Sequence, residues 1–317
     1  MIEYNTHLLS VTTPPSEIAY NKVIVDAYNS TVSKLLTITE STYTKARLEN
    51  VLKELKTELI LINEDFKVQF EKDMAMLIPF DANATELELN ESLLYAGVNN
   101  KLYSLNKTAI KEIIDIGTMT FFRVDTNGTV HTSKITADKM LKYIASDSYA
   151  KVRSVMLAEY AIGTSVECIA TKIKPFMIDT PRSQIRNAVR TMFGEASQRA
   201  KNEFYDANSE YIEEYLFVAT IDSRTSNICR SMDAMRFKKK ESWNTPPIHN
   251  SCRSSLIALP KGYTATQRPV VQQDGTITIV NDKNFSYKDA IKMFPDLNNK
   301  ELIDMIEYQK QIQYYKD

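Results

Sequence analysis

Glycine is scarce in this chain, 7 of 317 residues, and histidine and cysteine number only 3 each. No glycine-rich phosphate loop and no glycine-flanked serine elbow is present, which argues against P-loop nucleotide chemistry and α/β-hydrolase chemistry. The histidines show no His-x-Glu, His-Glu-x-x-His or other paired catalytic spacing. Cys168, Cys229 and Cys252 are too few for a disulfide framework and fit a reducing compartment. No run of about 18 apolar residues exists, so no membrane span is expected. The opening residues, Met1 to Asn5, lack the charged and apolar regions of a secretory signal. Charge of either sign is not in excess: 39 Lys and Arg face 40 Asp and Glu, a net charge of −1. A protein that coats nucleic acid is usually clearly basic, so bulk charge gives no support to that role.

What is present is an ordinary folded composition, 43% hydrophobic and 25% charged, over a length that allows one large or two medium domains. Low glycine with many Lys, Glu, Leu and Ile favours helix. Residues 1–13 read as an irregular arm. Pro14 and Pro15 precede Ser16, a cap for a helix with Glu17 in its first turn. Ile18, Val25, Tyr28, Val32, Leu35 and Leu36 then fall near one face. Ser41 or Thr42 starts a second helix, in which Leu48, Val51, Leu52, Leu55, Leu59, Ile62, Phe66 and Phe70 form a stripe over about thirty residues. Pro79 and the Asn-rich, acidic stretch after it read as a connection followed by a short helix.

Residues 108–116 look helical. Phe121 to His131 reads as a β-hairpin around Asn127-Gly128, where both turn residues need positive φ. Thr136 caps a further helix, with more helix through 150–172, and Pro175 interrupts the pattern. Thr180 and Pro181 then read as cap and first position of a new helix. Its apolar face carries Ile185, Val189, Phe193, Ala196, Ala200 and Phe204. Arg182, Arg186, Arg190, Arg199 and Lys201 lie off that stripe, either as phosphate contacts or as an ordinary solvated face. Tyr215 to Ile221 is a strand, Val270 to Val280 a second hairpin with an Asp274-Gly275 turn, and 286–293 and 299–314 are closing helices. The expected class is therefore α+β and predominantly helical: long N-terminal helices over 1–133 with a hairpin near 121–131, a compact α+β module over 134–262, and a hairpin with helices over 263–317.

The chemistry-bearing block begins at that strand. Asp222, Arg224, Thr225 and Cys229 are followed by Trp243, Pro246, Pro247, His249, Cys252 and Arg253. The strand delivers Asp222 to a turn, Thr225 and Ser226 are good cap residues for a short helix containing Cys229, and Pro246-Pro247 stiffens the approach to His249. Three readings stand beside each other. Cys229, His249 and Cys252, with Asp222 or water as fourth ligand, could close a loop around zinc. The two cysteines could instead be small buried hydrophobes beside a hydrogen-bonded histidine. Alternatively, Asp222 accepts from Arg224, Arg253 or backbone amides and so fixes the loop.

An Asp-x-Arg-Thr block, a Cys four positions on, and Pro-Pro-x-His-x-x-Cys-Arg about twenty residues later resemble the Mu F-like head morphogenesis proteins of tailed phages. The close likeness covers about 45 residues within 212–259, and the looser one, with the preceding helices, about 135–260. Three positions depart from the usual pattern. Ser226 and Ser254 stand where relatives often carry further cysteines, which excludes a four-cysteine metal site, and Ala234 follows Asp233 where a glycine is usual. The resemblance implies that 134–262 is the head-morphogenesis module of a minor capsid protein with no catalytic residues and no required cofactor. It implies a place inside the capsid near the portal, after assembly in the host cytoplasm. Its implied partners are portal, capsid and scaffold proteins, in several copies per head and without a membrane, with contact to packaged double-stranded DNA as an accessory. The competing reading is a metal-dependent nuclease or hydrolase using Asp222, His249 and the cysteines.

Overall fold

The computed structural model describes residues 15–39, 42–99, 101–105, 108–109, 111–112, 118–124, 130–241, 244–249, 252–263, 267–272, 276–282 and 285–297. The expected N-terminal arm, both hairpin turns, Trp243 and the closing helix at 299–314 lie outside these residues. The described chain is predominantly helical with short strands in small sheets, the α+β class expected. It forms two compact units built from interleaved stretches of chain: one from 13–74 with 135–189, the other from 75–134 with 190–317.

The first unit is helical. Helix α1 (Pro15–Leu36) and the first part of α2 (Lys45–Tyr95) bring Ile24, Ala27, Leu35, Leu48, Leu52 and Leu55 into its core. Helix α3 (Ala137–Ala161) begins at Thr136, whose side chain accepts from the Lys139 N–H, the cap expected from sequence. Helix α4 (Val166–Lys174) is capped the same way by Ser165, which accepts from Cys168 N, and buries Ile169 and Ile173. Tyr28 and Tyr43 donate to the carbonyls of Ala170 and Thr164, at 3.3 and 2.9 Å.

Two prolines behave differently from their sequence reading. Pro175 does not interrupt the helical path. Residues Pro175–Asp179 form a π-helical turn that passes directly into α5 (Thr180–Ala207), and Thr180 has helical dihedrals rather than those of a cap. Pro79 lies inside α2, which runs unbroken for 51 residues where a connection was expected. An interior proline costs a helix about 3 kcal/mol. Here the turns around it bury Ile78, Asp81, Ala82 and Thr85, so packing outweighs the intrinsic penalty.

Strands β1 (Thr118–Val124) and β2 (Val130–Thr136) pair as a two-stranded sheet, as the hairpin reading required. In the second unit, β3 (Ile212–Val218) lies at the centre of a three-stranded antiparallel sheet, between β4 (Arg236–Phe237) and β5 (Ser255–Pro260). One face packs Phe217, Leu256 and Ala258 with Leu89, Leu93, Phe204 and Tyr205 from α2 and α5; the other holds Leu216, Val218, Ile257 and Leu259. All of β5 is buried although it is an edge strand. Its edge is covered by Gln198 of α5, whose amide accepts from Leu256 N at 3.0 Å and donates to Leu256 O at 3.3 Å. A side-chain amide here does what a neighbouring strand would do.

Short helix α6 (Asn227–Met232) follows β3. Strands β6 (Arg268–Val271) and β7 (Ile277–Val280) form the C-terminal antiparallel hairpin, and α7 (Tyr287–Met293) follows. Ile221, Val270, Phe285, Tyr287, Ala290 and Leu297 make a separate small core there.

Candidate functional site

Strand β3 ends on buried residues, so Asp222 enters the following turn with its side chain only 5% exposed. A buried carboxylate is costly unless every oxygen is matched. Arg253, just before β5, donates Nη1 to Asp222 Oδ2 at 2.5 Å and Nη2 to Oδ1 at 2.6 Å. Arg224 N and Thr225 Oγ1 donate to the same Oδ1, each at 3.0 Å. Thr225 also donates to the Thr220 carbonyl, and Thr220 Oγ1 donates to Arg253 O at 3.0 Å. Burial alone would raise the Asp222 pKa. The hydrogen bonds and charge of Arg253, with Thr225 and Arg224, outweigh it and hold the carboxyl below its ordinary range. The two halves of the motif are thus joined into one cross-braced loop. Arg224 is the peripheral member, with its guanidinium largely exposed and 3.4 Å from Asp222.

Beside this brace lies the second constellation. Ser226 caps α6 by accepting from Cys229 N, and so sets Cys229 at the first turn with its thiol in the core. The segment before β5 carries Pro246 and Pro247, joined by a cis peptide bond, then His249 and Cys252. Cys229 Sγ is 3.0 Å from His249 Nε2 and 3.6 Å from Cys252 Sγ, and Ser226 Oγ is 2.7 Å from the same ring nitrogen. Both cysteines are free thiols. Burial pushes the Cys229 thiol up, aided by its neighbour Cys252. Burial acts on Cys252 in the same sense, but hydrogen bonds from Cys229 and His249 overcome it and depress its pKa. Asp222, which the zinc reading offered beside water as a possible fourth ligand, is not in this group: its oxygens are engaged by Arg253, Thr225 and Arg224 N.

Sequence reasoning missed a further brace. Asp233, after α6, is buried, and accepts from Ala219 N at 2.8 Å, Tyr287 N at 2.7 Å and Arg268 Nη2 at 2.8 Å. Arg268 also donates to Ala219 O and Phe285 O. Tyr287 reaches back to donate to Asp222 O at 2.5 Å, with the Arg230 guanidinium 4.8 Å from its ring centre. Val271 N donates to Ile221 O at 2.9 Å. The C-terminal hairpin and α7 are therefore fastened to the motif loop. Asp233 carried one sequence signal, since the residue after it, Ala234, occupies the place of the usual glycine. Ala234 has φ +64°, a region that favours glycine.

The four arginines of α5 do not share one exposed face. Arg186 is exposed, whereas Arg182, Arg190 and Arg199 are half-buried. Arg199 pairs with Glu195 at 3.1 Å. Lys201 is buried, with Ser255 Oγ at 3.2 Å and Asp81 at 3.8 Å.

A small antiparallel sheet and a charge-braced loop, reached through long helices, define a predominantly helical α+β protein whose motif residues hold the backbone together. Residues 150–257 match the family model described as Phage Mu protein F like protein. No curated protein and no solved structure matches the chain.

Proposed function

We propose that this chain is a minor head protein of a tailed phage, placed inside the capsid near the portal, where it acts in head assembly. The family match supports the head-morphogenesis part of this reading. The observation that carries it to the chain's own residues is the Asp222–Arg253 pair, which turns the family's two motif halves into one fastened loop. A protein that must keep its shape among capsid neighbours gains from such a brace. An enzyme using Asp222 as a base gains nothing from it, because a carboxylate gripped by a guanidinium is a poor proton acceptor. No helix among the described residues is long and apolar enough to cross a membrane, in keeping with a capsid component.

Portal, capsid and scaffold subunits are the proposed partners, met in several copies. Chemical cross-linking of assembled heads, read by mass spectrometry, tests this. Cross-links from the chain to portal subunits support the placement, and cross-links confined to outer-surface capsid residues refute it. An accessory contact with packaged double-stranded DNA would fall first on exposed Arg186. Phosphate binding by such a contact weakens steeply with salt.

A further inference from the structure

We propose that Cys229, Cys252, His249 and Ser226 form a zinc site that pins α6 to the segment entering β5. The Sγ atoms of Cys229 and Cys252 and a ring nitrogen of His249 lie within 4.8 Å of one another. Tetrahedral zinc with Zn–S of about 2.3 Å and Zn–N of about 2.0 Å has an S–S edge of about 3.8 Å and an S–N edge of about 3.5 Å. The observed S–S separation is 3.6 Å, and the Cys229–His249 edge is 3.0 Å. A small side-chain rotation opens the shorter edge to the ideal value.

Hydrogen bonding alone accounts poorly for this group. One imidazole nitrogen carries either one proton or one lone pair, so it makes one strong hydrogen bond. Here Nε2 has Ser226 Oγ at 2.7 Å and Cys229 Sγ at 3.0 Å, and the Cys252 sulfur lies 3.6 Å from that of Cys229. A sulfur and an oxygen crowded on one ring nitrogen, with a second sulfur beside the first, form the kind of cluster that ligands make around a small cation. A disulfide is the other chemistry open to two adjacent cysteines. It needs the sulfurs at about 2.05 Å and leaves the arrangement of His249 and Ser226 without a purpose. Soft thiolates with imidazole select zinc over magnesium or calcium, which favour oxygen donors. The site's role is structural: Cys229 and Cys252 belong to the core, and the residues it joins, Ser226 and Cys229 with His249 and Cys252, come from the two halves of the motif. Ser226 Oγ takes the fourth corner.

The test uses the full chain, purified without chelator and measured for metal. About one zinc per chain is expected, with Cys229→Ser and Cys252→Ser reducing it to near zero. Cobalt substitution of the wild-type protein covers the case in which those variants fail to fold. Intense visible bands of tetrahedral cobalt with near-ultraviolet thiolate charge transfer support the site. Ser226→Cys adds a third thiolate, so the charge-transfer band should grow by roughly half and zinc should be held more tightly. Absence of zinc even after loading, a weak octahedral cobalt spectrum, or a Cys229–Cys252 disulfide in freshly isolated protein overturns the proposal. An unchanged charge-transfer band in Ser226→Cys overturns the assignment of the fourth corner.

Discussion

Arg253 holds Asp222 through both terminal guanidinium nitrogens, at 2.5 and 2.6 Å, and both side chains are nearly out of solvent. Fixed geometry makes this a directional tie rather than a loose ion pair. Removing one partner strands a buried charge, which typically costs about 3–5 kcal/mol. Arg253→Ala is expected to lower stability by that order in chemical denaturation. Arg253→Lys should recover only part of the loss, since an ammonium cannot make the two-pronged contact. Equal stability of Arg253→Ala and wild type would remove the brace from the account.

The depressed Asp222 pKa sets the acid limb. A carboxyl whose folded pKa lies below its unfolded value contributes stability that is present above the unfolded pKa. That contribution fades as pH falls through the folded value. The wild-type chain should therefore lose stability below about pH 4, and Asp222→Asn should flatten this part of the profile. A midpoint-against-pH series on both proteins checks it.

Glu88 predicts the opposite slope. Burial raises its carboxyl to about 8, the Lys201 charge only partly opposing, and its Oε1 makes no hydrogen bond. Here the folded pKa exceeds the unfolded one, so stability is greatest below the unfolded pKa near 4.5 and declines as pH rises towards 8. Glu88→Gln should stabilise the chain by roughly 1–3 kcal/mol above that range and have little effect in acid. Thermal melts of the two proteins at acidic and alkaline pH decide the sign.

Ala234 has positive φ between the Asp233 brace and β4. The left-handed region costs a residue with a Cβ about 1–2 kcal/mol, part of which glycine returns through greater unfolded-state entropy. Ala234→Gly should raise stability by about 0.5–1 kcal/mol, visible as a higher denaturation midpoint with unchanged slope.

Arg268 ties the C-terminal hairpin to the motif loop through Asp233. Arg268→Met leaves Asp233 with backbone donors but without its charge partner. Hydrogen exchange should quicken across 268–271 and 285–293 and stay slow in β3 and β5. Uniform quickening through the sheet would mean that the hairpin is not a separable layer.

Much of this was legible from sequence because it follows from local rules. The Thr136 and Ser226 caps, strand β3 and the hairpin strands come from side-chain spacing and cap chemistry, which act over a few residues. The pairing of Asp222 with Arg253 was one of three readings, and the partners stand 31 positions apart, so the stretch between them had to be folded before it could be chosen. Pro79 and Pro175 misled because helix propensity is weaker than the burial available to the turns around them. Gln198 and Asp233 gave almost no signal. Covering a strand edge or receiving a distant arginine depends on tertiary neighbours, and a lone Gln or Asp is most often a surface residue.

The central claim is that the chain works as a component of the phage head. Mass spectrometry of heads purified from infected cells tests it most directly, with the chain quantified against portal and major capsid subunits. The account predicts a small, constant number of copies per head that remains after external protease treatment. Abundance in the infected-cell lysate together with absence from purified heads would contradict it.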